Sequence, residues 1–294
     1  MTEQAPPDDD SRCLLLALSH DELGVIVDGL ADPLQPVVAV ALSSTCLGLR
    51  TPLRAALEVL KERHEKAKAL CRKMRRSCAP LHGATRLLWS SKGLTAADMA
   101  TLVMILRTIG LPRLEELYLG MNPFGDVGVQ ALCEGLDEGV APSLRTLHLL
   151  GNKIGPAGAE AVAAALRRGA MLKLERLFLD RNPLGNQGVA SLAAPLRKLP
   201  ALTVLNLGDC GIGDEGVASL FANLGKDDFK ALERLYLDGN NLTDAAWATL
   251  VSAIDGGRMP HIDWITLYSN SASSEAARIA VNDAISRAKA RRSS

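Results

Sequence analysis

From about residue 84 onward the apolar positions keep one rhythm. Leucines alternate with other residues, an Asn or Cys follows three positions on, a turn comes next, and apolar residues then recur at helical spacing. Leu177, Leu179, Asn182, Leu184, Gly185 and Gly188 mark one copy. Thirty residues earlier stand Leu147, Leu149, Asn152, Ile154, Gly155 and Gly158, and thirty before that Leu117, Leu119, Asn122, Phe124, Gly125 and Gly128. Downstream copies begin at Leu205 and Leu235, with Cys210 and Asn240 in the Asn column. Worn copies sit at both ends, at Leu87, Trp89, Lys92 and Leu94, and at Ile265, Leu267 and Asn270. Seven units result, spaced 30, 30, 30, 28, 30 and 30 residues.

Within each unit the period-two leucines predict a short strand with one buried face. The Asn (or Cys210) is placed to satisfy backbone groups where the strand turns away. Asp126, Asn186, Asp214, Asp244 and Ser274 fall at or beside helix N-caps, where short oxygen side chains accept orphan N–H groups. Apolar residues such as Val162, Ala165 and Leu166 then mark the buried stripe of a helix. Small residues such as Gly128, Gly158 and Gly188 permit a close approach of helix to strand.

A fixed period with L-x-x-L-x-L-x-x-N/C resembles the leucine-rich repeat, and its length and Gly-rich turn resemble the ribonuclease-inhibitor type. One unit cannot bury its own leucines, whereas a stack can. The resemblance covers roughly residues 84 to 285 and implies an α/β solenoid, a horseshoe with a parallel sheet on the concave face and helices outside. It implies little about function, because unrelated binders share the scaffold.

Residues 1–12 read as a polar lead. Residues 13–53 then change to short apolar helical patterns broken at Asp32-Pro33. With Leu18, Leu23, Ile26, Leu30, Leu42 and Cys46, this stretch resembles an F-box, the helical module that docks on the adaptor of cullin-RING ubiquitin ligases. Ser19 replaces the usual Pro and no Trp follows Cys46, so the alternative is an all-α cap over the first repeat's core. Residues 54–83 carry a long basic amphipathic helix and a linker. The helix is predicted over 52–79, with Leu53, Leu57, Leu60, His64, Ala67, Cys71, Met74 and Cys78 on one seam. Residues 286–294 read as a basic tail.

Composition narrows the classes. The net charge is zero, from 33 Lys and Arg against 33 Asp and Glu, which points away from nucleic acid and membrane as partners. Six cysteines without disulfide spacing favour a reducing compartment, cytoplasmic or nuclear. No stretch is long enough to span a bilayer. The expected state is a monomer without metal or cofactor. Gly211-x-Gly213-x-x-Gly216 matches a dinucleotide fingerprint, but Gly213 and Gly216 stand in columns that are Gly in other units, so the repeat accounts for them. No nucleophile–base constellation is recognisable, and the reading is non-enzymatic.

The strand alternation also says where a partner would lie. Residues between the buried leucines point to the concave surface. The central column is Leu88, Tyr118, His148, Phe178, Asn206, Tyr236 and Thr266. On either side of it stand Glu116, Arg176, Arg234 and Trp264, and Asp180, Asp238 and Tyr268. All three tyrosines fall in these columns, in a chain only 3% aromatic. Tyr, Trp and Arg are common interface anchors. The expected partner-binding set is Glu116, Tyr118, His148, Arg176, Phe178, Asp180, Arg181, Arg234, Tyr236, Asp238, Trp264 and Tyr268. Arg176 with Asp180, and Arg234 with Asp238, repeat one charge arrangement on two strands. Seven strands span roughly 30 Å, and about four exposed positions on each approach the 20–30 residues of a standard protein interface. The functions this leaves open are a protein-binding module that selects targets for a ubiquitin ligase, a plain scaffold or inhibitor, and a GTPase-activating regulator.

Overall fold

The computed structural model describes residues 32, 36–38, 40–41, 47–74, 81, 83–136, 139–221, 224–270 and 274–293. Leu18, Leu23, Ile26, Leu30, Leu42 and Cys46, on which the F-box resemblance rests, lie outside them. The chain divides into two compact units, residues 1–81 and 82–294.

In the first unit, helix α1 spans Leu47–Lys73, beginning five residues before the expected start. Arg72 and Lys73 in its last turn complement the negative end of the helix dipole. Leu60, Ala67, Cys71 and Met74 are buried, with Leu57 and His64 half-buried, so the described part of the seam is the covered face. Leu70 is buried beside it. The opposite face carries exposed Arg54, Lys61, Lys66 and Arg72, and Lys66 pairs with Glu62 at 2.7 Å.

The second unit is a leucine-rich-repeat solenoid. Strands β1 (Arg86–Leu88), β2 (Glu116–Tyr118), β3 (Thr146–His148), β4 (Arg176–Phe178), β5 (Val204–Asn206), β6 (Arg234–Tyr236) and β7 (Trp264–Thr266) form one parallel sheet in sequence order. Between and after them come α2 (Ala96–Ile109), α3 (Gly125–Gly135), α4 (Pro156–Arg167), α5 (Gly185–Arg197), α6 (Asp214–Phe221), α7 (Asp244–Asp255) and α8 (Glu275–Ser293). The register pairs Leu87, Leu117, Leu147, Leu177, Leu205, Leu235 and Ile265 in one row, including the 28-residue step from Leu177 to Leu205. Leucines of this row and of the next, Leu119 to Leu237, are fully buried; only Ile265 and Leu267 at the end show any surface.

The Asn column is a ladder between repeats. Asn182 Oδ1 accepts from Asn152 N at 2.8 Å and Ile154 N at 3.0 Å, while its Nδ2 donates to Leu149 O and Leu179 O. Asn122, Asn240 and Asn270 likewise serve the turn of the repeat before them. Cys210 supplies only a thiol, directed to Leu179 O and Gly208 O at 3.3 Å.

Ser274 caps its own helix, accepting from Ala277 N at 3.1 Å, but the other four capping residues act across repeats, not within their own helix as the sequence suggests. Asp126 Oδ1 accepts from Gly155 N and Gly158 N, at the head of α4. Asn186 serves Gly213 before α6, Asp214 serves Thr243 before α7, and Asp244 serves Ser274 before α8. Ala96 and Pro156 stand in this column where no oxygen is available, and the helices that follow, α3 and α5, have no side-chain cap. There Gly125 and Gly185 adopt φ of 63° and 60° and donate to Asn152 O and Cys210 O of the next repeat instead. The close approach at Gly158 is also to a neighbour: a Cβ would meet Asp126 Oδ1 at 2.5 Å and Val129 of the preceding helix at 2.8 Å, in addition to Ile154 of its own turn.

Residues 286–293 continue α8 without a break. Arg287 forms a two-point pair with Asp255 at 3.0 and 2.7 Å, and Arg291 donates to the last carbonyls of α7, Ile254 O and Asp255 O, at 2.9 Å each. The basic residues there tie the final helix to the previous one.

Candidate functional site

Pleating sends every second strand residue to the face opposite the leucines. With the leucines buried, the central column lies on the inner face in the expected order. Tyr118, His148 and Phe178 sit on consecutive strands and stack, with ring centroids 5.4 Å apart for the first pair and 4.8 Å for the second. Each is half-buried, since a ring packed on its neighbours still shows one face. Leu88, at the β1 end of the same column, is 50% exposed. A Cβ on Gly120 would meet His148 Nδ1 at 2.9 Å, so the absence of a side chain there lets the imidazole lie down on the sheet.

Charges surround the stack. Arg86 binds Glu116 at 2.6 Å, and Arg176 donates to Thr146 Oγ1 at 2.8 Å and reaches Glu116 at 3.4 Å, sixty residues away. Thr146 is thereby buried under a guanidinium. Arg181 approaches Asp209 at 3.6 Å. Asp238 accepts from Thr266 Oγ1 and from Tyr268 N. The repeated Arg–Asp arrangement is therefore one of position only. The Arg176 side chain is tied across strands, whereas the Arg234 guanidinium has no hydrogen bond or ion pair among the described residues, and neither binds the Asp of its own strand.

Two polar atoms on this face have no partner among the described residues, His148 Nδ1 and Asp180 Oδ1. Burial holds the His148 pKa below its ordinary value, which keeps the ring neutral at pH 7. Burial pushes the Asp180 carboxyl up, against its own backbone amide and the charge of Arg181, and Asp209 adds to the rise.

The sheet thus brings Glu116, Tyr118, His148, Arg176 and Phe178 together in one patch, with Asp180 at the edge of β4. Tyr236, Asp238, Trp264 and Tyr268 gather at the β6–β7 end with Arg234. Asn206, polar and on β5, separates the two groups. Arg278 and Lys289 of α8 join the second group, lining hollows beside Trp264. Sequence pattern misses them because they enter from a helix and not from the strand columns, Lys289 from beyond the end of the repeat period.

Other chemistry finds no geometry here. Among the described residues no cluster of His, Cys, Asp and Glu is placed to hold a metal. The thiols of Cys133 and Cys210 are pushed up to about 12 by burial, which makes them inert. Gly213 N is taken by Asn186 Oδ1 at 2.7 Å, and a Cβ on Gly216 would meet Ile212 at 2.5 Å, so these glycines serve packing. No helix among the described residues is long and apolar enough to cross a membrane.

The family model described as leucine-rich repeat matches residues 111–133, 140–163 and 198–221. No curated protein matches the chain. Solved structures that resemble it include a pollen receptor kinase 3, at 17% identity over 65% of this chain and 76% of that one, with a TM-score of 0.38. The Rad7–Elc1 complex of yeast is similar at 14% identity, 91% and 74% coverage and a TM-score of 0.35. The actin-binding site 2 of leiomodin-1 follows at 10%, 78% and 90%, and 0.33. Likeness at this level concerns the repeat architecture and carries no functional argument.

Proposed function

We propose that this leucine-rich-repeat solenoid is a non-enzymatic module that holds a protein partner on the inner face of its sheet, with Tyr118, His148 and Phe178 as the anchor. The stacked rings are the observation that carries this reading. They lie on the strands of the sheet and present broad surface at little entropic cost; Tyr is a hot-spot residue type and Phe is enriched at interfaces. The unpartnered Asp180 oxygen beside them suits a donor arriving with the partner. Arg176, Arg181, Glu116, Arg234, Tyr236, Asp238, Trp264 and Tyr268 complete the proposed contact set.

The finer reading concerns delivery. Residues 13–53 resemble an F-box, and we assign them to docking on the adaptor of a cullin-RING ubiquitin ligase, with the inner face as the target receptor. Residues 54–83 link the two and residues 84–285 form the receptor. The cytoplasm or nucleus is the matching compartment.

Two measurements test this. Purified full chain should bind the adaptor, and a chain lacking residues 1–53 should not; a folded full chain that fails to bind removes the ligase role and leaves a scaffold or inhibitor. Tyr118→Ala with Tyr236→Ala should leave the fold intact and weaken partner capture more than ten-fold. Unchanged capture would move the binding face elsewhere.

A further inference from the structure

Among the described residues no strand follows β7 in the sheet. The spacing of α7 places the end of its successor thirty residues after Asp255, yet α8 runs on to Ser293. Residues that would turn back into another strand are helical, held by Arg287, Arg291 and Arg292. Earlier strands bond forward. Leu207 N donates to Tyr236 O, Leu237 N to Thr266 O and Gly239 N to Tyr268 O, while Glu233 O accepts from Asp263 N and Trp264 N. The equivalent atoms of the last repeat, Leu267 N, Ser269 N and Asp263 O, have no partner among the described residues.

A groove of about 470 Å³ runs along this edge, between β7 and α8. Its floor is apolar, with Ile265, Leu267 and Ile285 nearly buried. Trp264 and Tyr268 rise from it 53% and 67% exposed. Past Trp264 it meets a second hollow of about 640 Å³ lined by Arg234, Tyr236, Asp263 and Lys289. Charge here is net positive. Glu275 pairs with Arg278 and Asp263 with Arg292, both at 2.5 Å, and the one carboxylate of Asp263 also faces Arg234 and Lys289, which form no ion pair of their own among the described residues.

We propose that this edge receives an extended acidic segment of a partner protein as an eighth parallel strand. Backbone groups of the segment meet Asp263 O, Leu267 N and Ser269 N, which supplies affinity, and alternate side chains supply specificity. Its apolar residues cover Ile265 and Leu267. A carboxylate just ahead of the strand lies between Arg234 and Lys289. The chain's own repeats show the pattern, since Glu115, Glu175 and Glu233 each stand two residues before a buried leucine. A second copy fits less well, because a two-fold axis would set the same net-positive edge against itself. The site is distinct from the stacked rings of β2 to β4 and does not need them.

Fluorescence anisotropy with the full chain tests this. The probe is a labelled peptide reproducing residues 232–240, with glutamate in place of the arginine corresponding to Arg234. Saturable binding should weaken at least ten-fold with Trp264→Ala, with Lys289→Glu, and when the peptide amides that face β7 are N-methylated. Methylation of the opposite amides should matter little, and Tyr118→Ala should leave binding intact, which separates this site from the inner-face reading. Trp264 and Lys289 are exposed, so the melting curves of their variants should not move. No saturable binding, equal binding of the blocked peptide, indifference to Lys289→Glu, or a dimer abolished by Trp264→Ala would each overturn the proposal.

Discussion

Asp180 weakens the free protein at neutral pH. Its carboxyl is half-buried on the inner face, one oxygen is unpartnered, and its pKa is raised. A raised folded-state pKa means that ionisation opposes folding, so the penalty is present above that pKa and fades as pH falls through it. Asp180→Asn should therefore raise the melting temperature at pH 7. The gain should shrink toward zero in acid. A melting series from pH 7 to pH 3 checks this, and a gain that persists unchanged at the acid end would assign the effect to something other than charge. His148 works in the opposite pH direction: its lowered pKa favours the neutral ring, so stability from it is full above about pH 6.5 and declines as pH falls. At this scale the sequence shows which residues reach the inner face, because alternation is local. It does not show that Arg176 turns to Thr146 and Glu116, since those contacts join strands thirty and sixty residues apart.

At the scale of elements, a helix here is not capped by its own turn alone. The oxygen of Asp126 belongs to α3 but holds the first amides of α4. Replacing a capping Asp with Ala costs about 1 kcal/mol, up to about 2. Asp126→Ala should lower stability by that amount and loosen the next helix, not its own. Hydrogen exchange should quicken at the start of Pro156–Arg167 and stay unchanged in Gly125–Gly135; the reverse pattern would contradict the assignment. Strand and helix positions are legible in the sequence because the leucines recur in register. The direction of the caps is not, because an Asp beside a helix start reads alike whichever helix it serves. The end of α8 is hidden for a related reason, since Arg287, Arg291 and Arg292 find their acceptors about thirty residues back.

At the scale of the whole molecule, the repeat period made the solenoid readable and the placement of a partner only partly so. Leu177 and Leu205 announce the sheet despite their shorter spacing, because the buried row tolerates two residues fewer in the outer turn. The open edge at β7 and the cations from α8 depend on where the period stops, and a pattern says nothing about its own end.

The two ladders point in opposite senses along the chain. The Asn side chains reach back to the turn before them, and the Asp caps reach forward to the helix after them. Under tension, a repeat peeled from one end takes an acceptor from the neighbour left behind, and a repeat peeled from the other end takes a cap. The first repeat is the exception, since Ala96 in the cap column leaves its neighbour's helix without a cap to lose. Stretched between its ends in an optical trap, the array beyond that first repeat should yield in a single rip, and a staircase of thirty-residue extensions would show that its bonds between neighbours are too weak to act in concert.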